Sequence, residues 1–352
     1  MNENTSLNSV FLDFQTVLST QTDLTITGPG HYAYSQNCVR SSHSSCTNRD
    51  NAEPIMASKD EVMPVADWDK TAQQYSDNIA RFTALHAADL TGALYHDILS
   101  AKTILDVGCG TGAFGLSYVQ QFPKGIPGQT LILSDLSPGM VNKTKDVMQQ
   151  RVPVDFKTKL QYEIEDGAVL EGIQDDSIDV LVSVFGVFLI PDRAKTFNTI
   201  QRVLRKPDGV FGASAWTSIE CRDSLKNDGF GAGLHDSMET SLKDLTNPFS
   251  NKEAPWKQWF NPDTIRSMVV DEAGFGMVAV HRSIHSVMWP SALDLWQLIS
   301  GSPMSKVTGA DQEMAEAAKQ SLIDMVNNGD ANSPVLVWTA SNLVVARGPP
   351  SE

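Results

Sequence analysis

Short apolar runs alternate along the middle of the chain with turns and with longer stretches of helical periodicity. The runs at 104–107, 131–133 and 178–184 consist mostly of Ile, Leu and Val, and each is followed by a turn and then by a stretch of helix length. A short, mostly apolar run is typical of a parallel strand that is covered on both faces. Strands that alternate with helices predict an α/β fold built on a doubly wound parallel sheet.

The run at 104–107 leads directly into a glycine turn. Asp106 is followed by Gly108, Gly110 and Gly112, and a helical pattern begins after them. Glycine allows positive φ angles and leaves no Cβ between the backbone and a ligand. A turn of this kind, with a helix N-terminus behind it, is where open α/β sheets hold nucleotides.

Two kinds of nucleotide cofactor fit this turn. The glycines at 110, 112 and 115 satisfy the dinucleotide pattern G-x-G-x-x-G, and Asp135 follows at about the distance that this pattern requires. Asp106 favours the second kind, because its carboxylate would repel a diphosphate and attract the ammonium group of an amino acid. We therefore expect a nucleoside cofactor that carries an amino-acid group, with a nicotinamide dinucleotide as the alternative.

The segment from Asp106 to Gly112 resembles the first motif of the class I S-adenosylmethionine-dependent methyltransferases, acid-x-Gly-x-Gly-x-Gly. Asp135 is similar to the acid that ends the second strand in that family, which implies that it accepts hydrogen bonds from both ribose hydroxyls. Leu136 begins the run that opens the next helix. The resemblance implies S-adenosyl-L-methionine as cofactor and a Rossmann-like sheet of seven strands, the last of which is antiparallel and lies between strands five and six.

Further cofactor contacts follow from the same resemblance. Asp166 and Gly167 fall in the third motif, where an acid accepts from the adenine amino group, and Glu165 is the alternative for that role. Phe185 follows strand four at the point that faces the transferring methyl group in this family. Tyr75 lies in a segment that resembles the N-terminal helix that covers the cofactor in small-molecule methyltransferases.

No catalytic base has a local signature in this sequence. The exit of strand four at 185–190 carries no His, Asp or Lys. His285, on the predicted sixth strand, and His235 are the candidates, because imidazole titrates near neutral pH. The sequence has no local Ser-His-Asp or Cys-His pattern, and the cysteines near the N-terminus fit no zinc spacing, so we expect no metal site.

The charge and composition of the chain limit its partners and its compartment. The net charge is −15, which opposes the binding of nucleic-acid phosphates. No apolar run reaches the roughly 18 residues needed to span a membrane, and the four cysteines form no disulfide pattern. We expect a cytoplasmic protein with no nucleic-acid partner and no membrane span, and a homodimer is left open.

The sequence divides into an N-terminal extension and one domain. Residues 1–55 are rich in Ser, Thr and Asn, which predicts disorder. Met56 has the surroundings of a natural start, so an extended gene model is one explanation for the residues before it. Residues 56–352 are predicted to form the class I methyltransferase domain, with N-terminal cap helices at 56–100.

Two long segments outside the predicted sheet are expected to determine which substrate binds. The segments at 217–260 and 288–334 leave the carboxyl ends of strands five and six, so we predict that they form a lid over the cofactor. Both contain several aromatic and apolar residues, which are the usual lining of a ligand cavity. We therefore expect methyl transfer to a small hydrophobic acceptor, as an O-methylation of a secondary metabolite or quinone-like compound. The alternative is a non-catalytic methyltransferase-like regulator whose lid binds another protein.

Overall fold

The computed structural model describes residues 65–223, 255–301, 312–325 and 330–348. The prediction for residues 1–55 and most of the first predicted lid segment lie outside the described residues.

Strands and helices alternate over most of the described chain. The strands are β1 (Thr103–Val107), β2 (Thr130–Asp135), β3 (Lys159–Ile164), β4 (Val180–Val184), β5 (Val210–Asp223), β6 (Met277–Trp289) and β7 (Val335–Arg347). The α-helices are α1 (Val65–Asn78), α2 (Ala80–Ala93), α3 (Tyr95–Ser100), α4 (Ala113–Gln121), α5 (Pro138–Arg151), α6 (Arg193–Val203), α7 (Pro262–Ser267), α8 (Ala292–Gly301) and α9 (Gln312–Met325). Two 3₁₀ turns, Val187–Leu189 and Pro255–Phe260, and a π turn, Met268–Glu272, complete the described elements.

The strands form one mixed sheet in the order β3-β2-β1-β4-β5-β7-β6. Neighbouring strands from β3 to β5 are parallel, and β7 is antiparallel to both β5 and β6. The strand order reverses between β1 and β4, and ligands of open α/β sheets bind in the crevice at such a point. This topology confirms the predicted Rossmann-like sheet with an antiparallel last strand.

The centre of the sheet is the most buried part of the core. All five residues of β4 are buried, and in β1 only Thr103 is partly exposed. Helix α2 packs against α4 and against β5, β6 and β7, while α1 packs against α5. These contacts bring the N-terminal helices to the sheet, where they can contribute side chains to a site at its carboxyl edge.

Strand β5 is longer than the sequence predicted. The first lid segment was predicted to leave strand five at residue 217, but β5 continues to Asp223, which pairs with Val335 of β7. The register shifts between Trp216 and Ser218. Trp289, the last residue of β6, also pairs with Val335. An antiparallel arm of β5, β7 and β6 therefore extends beyond the end of β4, and the residues at 217–223 belong to this arm.

The predicted cap and the second lid segment are both helical over most of their described residues. The described part of the cap, from Val65 to Ser100, forms α1, α2 and α3. Because β6 extends to Trp289, the segment predicted to begin at Met288 begins two residues later, at Pro290, and its described part contains α8 and α9.

Candidate cofactor site

The turn between β1 and α4 has the backbone that its glycines predict. Gly108, Gly110 and Gly112 have φ angles of 68°, 54° and 93°. A Cβ on Gly108 would lie 3.1 Å from the Cα of Gly186, in the loop after β4, whereas a Cβ on Gly110 would meet nothing within 4 Å. The turn therefore packs closely against the loop after β4 at one end and leaves open space beside Gly110.

A cavity of about 200 Å³ lies beside this turn, at the carboxyl ends of β1, β2 and β4. Most of the predicted cofactor contacts are part of its lining: Tyr75, Gly108, Gly110, Asp135, Leu136, Asp166, Gly167 and Phe185. The lining also includes residues that were not among the predicted cofactor contacts: Val65, Trp68, Thr83, Thr111, Ser137, Met140, Leu189 and Ile190. Two predicted contacts are not in the lining. Asp106 precedes the turn, and Gly112 is the last of its three glycines.

Asp135 is held rigidly at the end of β2. Its Oδ2 accepts a hydrogen bond of 2.9 Å from the backbone N–H of Gly110, and its Oδ1 accepts one of 3.0 Å from that of Ser137. Burial raises the pKa of this carboxyl, and the two backbone donors partly oppose the increase. Its predicted role at the ribose hydroxyls stays a prediction, and a carboxylate that is fixed in this way has lone pairs left for such donors.

Asp106 is buried, and neither of its carboxyl oxygens has a hydrogen-bond partner in the described part of the chain. Burial raises its pKa well above the usual range, and the charge of Asp135 adds to the increase. A buried carboxyl without partners is costly, so the arrangement is suited to a cation. The predicted contact with an ammonium group fits this orphaned carboxyl but is not itself observed.

Asp166 and Glu165 both remain candidates for the adenine end of the cavity. Both residues line the cavity. Oδ1 of Asp166 accepts from the backbone N–H of Ala168 at 2.8 Å, and Oε1 of Glu165 accepts from that of Gly172 at 3.0 Å. Each carboxylate has one oxygen with no such bond among the described residues, so the geometry leaves the sequence-based choice of Asp166 open.

Helix α1 covers the cavity with two aromatic side chains. Trp68 and Tyr75 line the cavity and make an edge-to-face contact, with their ring centroids 6.1 Å apart. Burial and the charge of Asp135 raise the pKa of the Tyr75 phenol. Asp69 connects this helix to α5, since its Oδ1 accepts from Ser137 Oγ at 2.5 Å and from the backbone N–H of Gly139 at 2.8 Å.

His285, one of the two histidines predicted as bases, does not lie in the cavity lining. Nε2 of His285 lies 2.8 Å from Oδ2 of Asp89, and its side chain is about a quarter exposed. His235 lies outside the described residues. His285 as a general base stays a prediction, without support from its position in β6.

The sequence interpretation missed His86, which is fully buried next to the cavity wall. Its ring makes edge-to-face contacts with Phe185 and Trp216, at centroid distances of 5.4 Å and 5.1 Å. One signal was available in the sequence: Phe82, His86 and Leu90 share one face of a helix at four-residue spacing, and both apolar neighbours are buried.

Comparison with known proteins supports the class that this fold and site define. Residues 104–209 match a family model described as "Methyltransferase domain". Together with the strand order and the glycine turn, this match identifies them as a class I S-adenosylmethionine-dependent methyltransferase domain, and S-adenosylmethionine is the cofactor of that class.

Individual relatives match over part of their length. An uncharacterized protein of Mycobacterium tuberculosis (strain H37Rv) is 30% identical over 114 residues, which cover 32% of this chain and 37% of the relative. The malonyl-[acyl-carrier protein] O-methyltransferase 2 of Ilyobacter polytropus is 28% identical over 146 residues, or 40% of this chain and 51% of that protein. The chain thus matches between about a third and a half of the length of these curated relatives.

Solved structures are similar over a larger share of the chain. The YcgJ protein of Bacillus subtilis has 14% sequence identity and a TM-score of 0.43, covering 73% of this chain and 100% of that one. A Haemonchus contortus phosphoethanolamine N-methyltransferase 2 in complex with S-adenosylhomocysteine also has 14% identity and a TM-score of 0.43, covering 82% and 61%. Separately, no helix in the described ranges has the length and apolar character needed to cross a membrane.

Proposed function

We propose that this protein transfers the methyl group of S-adenosylmethionine to an oxygen atom of a small hydrophobic acceptor. The observation that carries the proposal is the cavity itself, which combines carboxylates at one end with an apolar wall at the other. Asp135, Glu165 and Asp166 supply the acidic end, and Phe185 and Leu189 belong to the apolar wall. The acidic end suits a cofactor with ribose, adenine and ammonium donors, and the apolar wall suits a hydrophobic acceptor.

The bound cofactor would supply an activated methyl group on a sulfonium centre. Asp106 would hold its ammonium group, Asp135 its ribose, and Asp166 or Glu165 its adenine. Trp68 and Tyr75 of helix α1 would cover the bound cofactor and exclude water from the cavity. Holding two reactants in line can contribute about 7–11 kcal/mol to the lowering of a barrier. The proposed catalysis therefore rests on alignment and needs no base in the cavity wall.

Oxygen as the acceptor atom has support from one relative. The Ilyobacter polytropus protein carries the name of an O-methyltransferase. A secondary metabolite or quinone-like compound as acceptor, and a cytoplasmic location, extend the proposal from the sequence. The lid residues that would select the acceptor lie partly outside the described residues.

Calorimetric titration tests the proposal directly. We expect S-adenosylhomocysteine to bind with micromolar affinity and NAD and NADP not to bind. Incubation with a labelled methyl donor and a panel of phenols and carboxylic acids should then identify the acceptor. Binding of a dinucleotide instead of S-adenosylhomocysteine would contradict the cofactor assignment. Cofactor binding without transfer to any acceptor would favour the regulator alternative.

A further inference from the structure

Phe185 has an unusual backbone conformation where the apolar wall of the cavity begins. Its φ angle is 57°, a left-handed value that bulky residues rarely adopt. Its backbone N–H donates to the carbonyl oxygen of Ser214 at 3.2 Å. Its ring stacks on the Trp216 indole with the planes 6° apart and the centroids 3.7 Å apart. Such conformations persist when the surroundings hold them in place, and they are frequent at functional sites.

His86 is one of the groups that hold this stack in place. Its ring stands nearly perpendicular to both aromatic planes, at 90° to Phe185 and 88° to Trp216. Nδ1 of His86 lies 2.7 Å from Ser283 Oγ and 2.9 Å from Ser341 Oγ, and Nε2 lies 3.0 Å from Thr339 Oγ1. Hydroxyl groups of β6 and β7 thus fix the imidazole from both sides.

The carboxylate of Asp89 determines which nitrogen of this imidazole carries the proton. Burial opposes its ionisation, but hydrogen bonds from His285 and Ser283 outweigh burial and lower the pKa of Asp89. Asp89 is therefore an acceptor, and the Ser283 hydroxyl donates its hydrogen to Oδ2 of Asp89 at 2.7 Å. Ser283 Oγ can then only accept from His86, which places the imidazole hydrogen on Nδ1. Nε2 accepts from Thr339.

The neutral state of His86 agrees with this hydrogen-bond pattern. Burial lowers the pKa of His86 to about 3, and the neighbouring His285 contributes to the decrease. A neutral imidazole carries one N–H and one acceptor nitrogen, which matches the partners on its two sides.

We propose that His86 is a positioning residue that holds Phe185 against the cavity, and that Asp89, acting through Ser283, fixes it as the Nδ1–H tautomer. The consequence for cofactor binding rests on the proposed function, which assigns the exit of β4 to the reacting methyl group. Phe185 then lies where the cationic donor and its neutral product differ. A displaced ring should therefore change the affinity for S-adenosylmethionine more than that for S-adenosylhomocysteine.

The tautomer can be measured without any cofactor. In protein labelled with ¹⁵N-histidine, we expect His86 to show a protonated Nδ1 and an unprotonated Nε2 at every pH between about 5 and 8. The signal is assigned by its loss in His86→Asn. An Nε2–H tautomer, or a titration within this pH range, would overturn the assignment, whether or not the protein binds a cofactor.

The positioning role is tested by the ratio of the two cofactor affinities. We expect Ser283→Ala to weaken S-adenosylmethionine binding by about threefold or more, because a cation loses part of its aromatic contact. S-adenosylhomocysteine binding should change less than about twofold. Ser283→Thr, which keeps the hydroxyl, should restore the ratio towards that of the wild type. Ser286→Ala, at an exposed position of the same strand, is the matched control.

The outcomes separate this proposal from the proposed function. Equal losses of both affinities in Ser283→Ala, or no recovery in Ser283→Thr, would reduce His86 to a structural residue and overturn the positioning role. If the wild type binds neither cofactor, the proposed function fails together with the positioning role, while the tautomer measurement still decides the hydrogen-bond assignment.

Discussion

Asp106 and His86 are both fully buried polar side chains near the cavity, but their surroundings differ. His86 has hydroxyl partners on both ring nitrogens, whereas neither carboxyl oxygen of Asp106 has a partner among the described residues. A satisfied buried group rigidifies its surroundings, and an unsatisfied one costs stability. The difference is consistent with a supporting role for His86 and a ligand-binding role for Asp106.

Substitution of Asp106 by Asn should separate stability from cofactor binding. The folded pKa of Asp106 is raised, so the native state holds a proton more tightly than the unfolded chain. The free energy of unfolding therefore falls as the pH rises from the unfolded carboxyl pKa of about 3.9 towards the folded pKa. Asp106→Asn should therefore raise the free energy of unfolding of the free protein near pH 7 by about 1 kcal/mol.

Urea denaturation and calorimetry with S-adenosylhomocysteine measure the two effects. The affinity of Asp106→Asn should fall by about tenfold or more, since a charge-assisted contact is lost. Asp146→Asn, at an exposed position of α5, should change neither quantity. A variant that is less stable than the wild type and still binds the cofactor would show that Asp106 is structural.

His86 should make the protein less stable as the medium becomes acidic. The unfolded imidazole takes up a proton below about pH 6.5, whereas the folded one stays neutral down to a pKa of about 3. The unfolded state therefore binds more protons in this window, and the free energy of unfolding falls as the pH falls. The contribution is about 2 kcal/mol between about pH 6.5 and pH 5.

Denaturation curves at several pH values test this contribution against a matched substitution. His86→Asn should show a flatter dependence of stability on pH than the wild type, whereas His96→Asn, at an exposed position of α3, should keep the wild-type slope. Equal slopes in all three proteins would mean that the pKa of His86 is the same in the folded and the unfolded state.

At the scale of whole elements, α1 is held over the cavity by a small number of polar contacts. Asp69 accepts hydrogen bonds from Ser137 and Gly139 at the start of α5. A Cβ on Gly139 would lie 2.9 Å from Oδ1 of Asp69, so the two helices approach closely at this point. The position of Trp68 and Tyr75 over the cavity therefore depends on Asp69.

Asp69→Ala should weaken cofactor binding without removing a cofactor contact. We expect about a fivefold lower affinity for S-adenosylhomocysteine, because α1 then has to be ordered on binding. Asp77→Ala is the control, since Asp77 is exposed on the same helix and accepts from Gln73 within it. Calorimetry at one temperature measures both variants, and an equal loss in both would show a general effect of charge.

The sequence predicted some of these elements better than others, for physical reasons. β1, β2 and β4 were predicted because a parallel strand buried on both faces is a continuous apolar run. The end of β5 was missed because only Ile219 and Cys221 are apolar among the residues at 217–223. A mostly polar segment of this kind resembles a loop when the partner strand is unknown.

The residues of the site also differ in how well the sequence predicts them, according to whether their partners are near or far along the chain. The glycine turn, Asp135 and Asp166 were predictable because each lies next to its own strand in the sequence. His86 was not, because its partners Ser283 and Thr339 lie 197 and 253 residues away along the chain. Only the pairing of β6 with β7 brings these hydroxyls together, and a single sequence does not contain that pairing.

At the scale of the whole molecule, the charge of the protein and the charge of the cavity have the same sign. The net charge is −15, and the ionisable carboxylates Asp135, Glu165 and Asp166 line the cavity. No Lys, Arg or His belongs to that lining in the described part of the chain. A field of this sign attracts a cationic ligand and repels phosphates.

The salt dependence of cofactor binding should report this field. At neutral pH S-adenosylmethionine carries a net positive charge, whereas S-adenosylhomocysteine carries none. The Debye length, over which salt screens a charge, falls from about 30 Å at 0.01 M salt to about 3 Å at 1 M. We therefore expect the affinity for S-adenosylmethionine to fall by about threefold or more between these limits, and the affinity for S-adenosylhomocysteine to change much less. Titrations in sodium chloride and in a second monovalent salt separate screening from specific ion binding. If both affinities respond equally, the carboxylates act on the cofactor through hydrogen bonds alone, and the long-range field contributes nothing to selection of the charged donor.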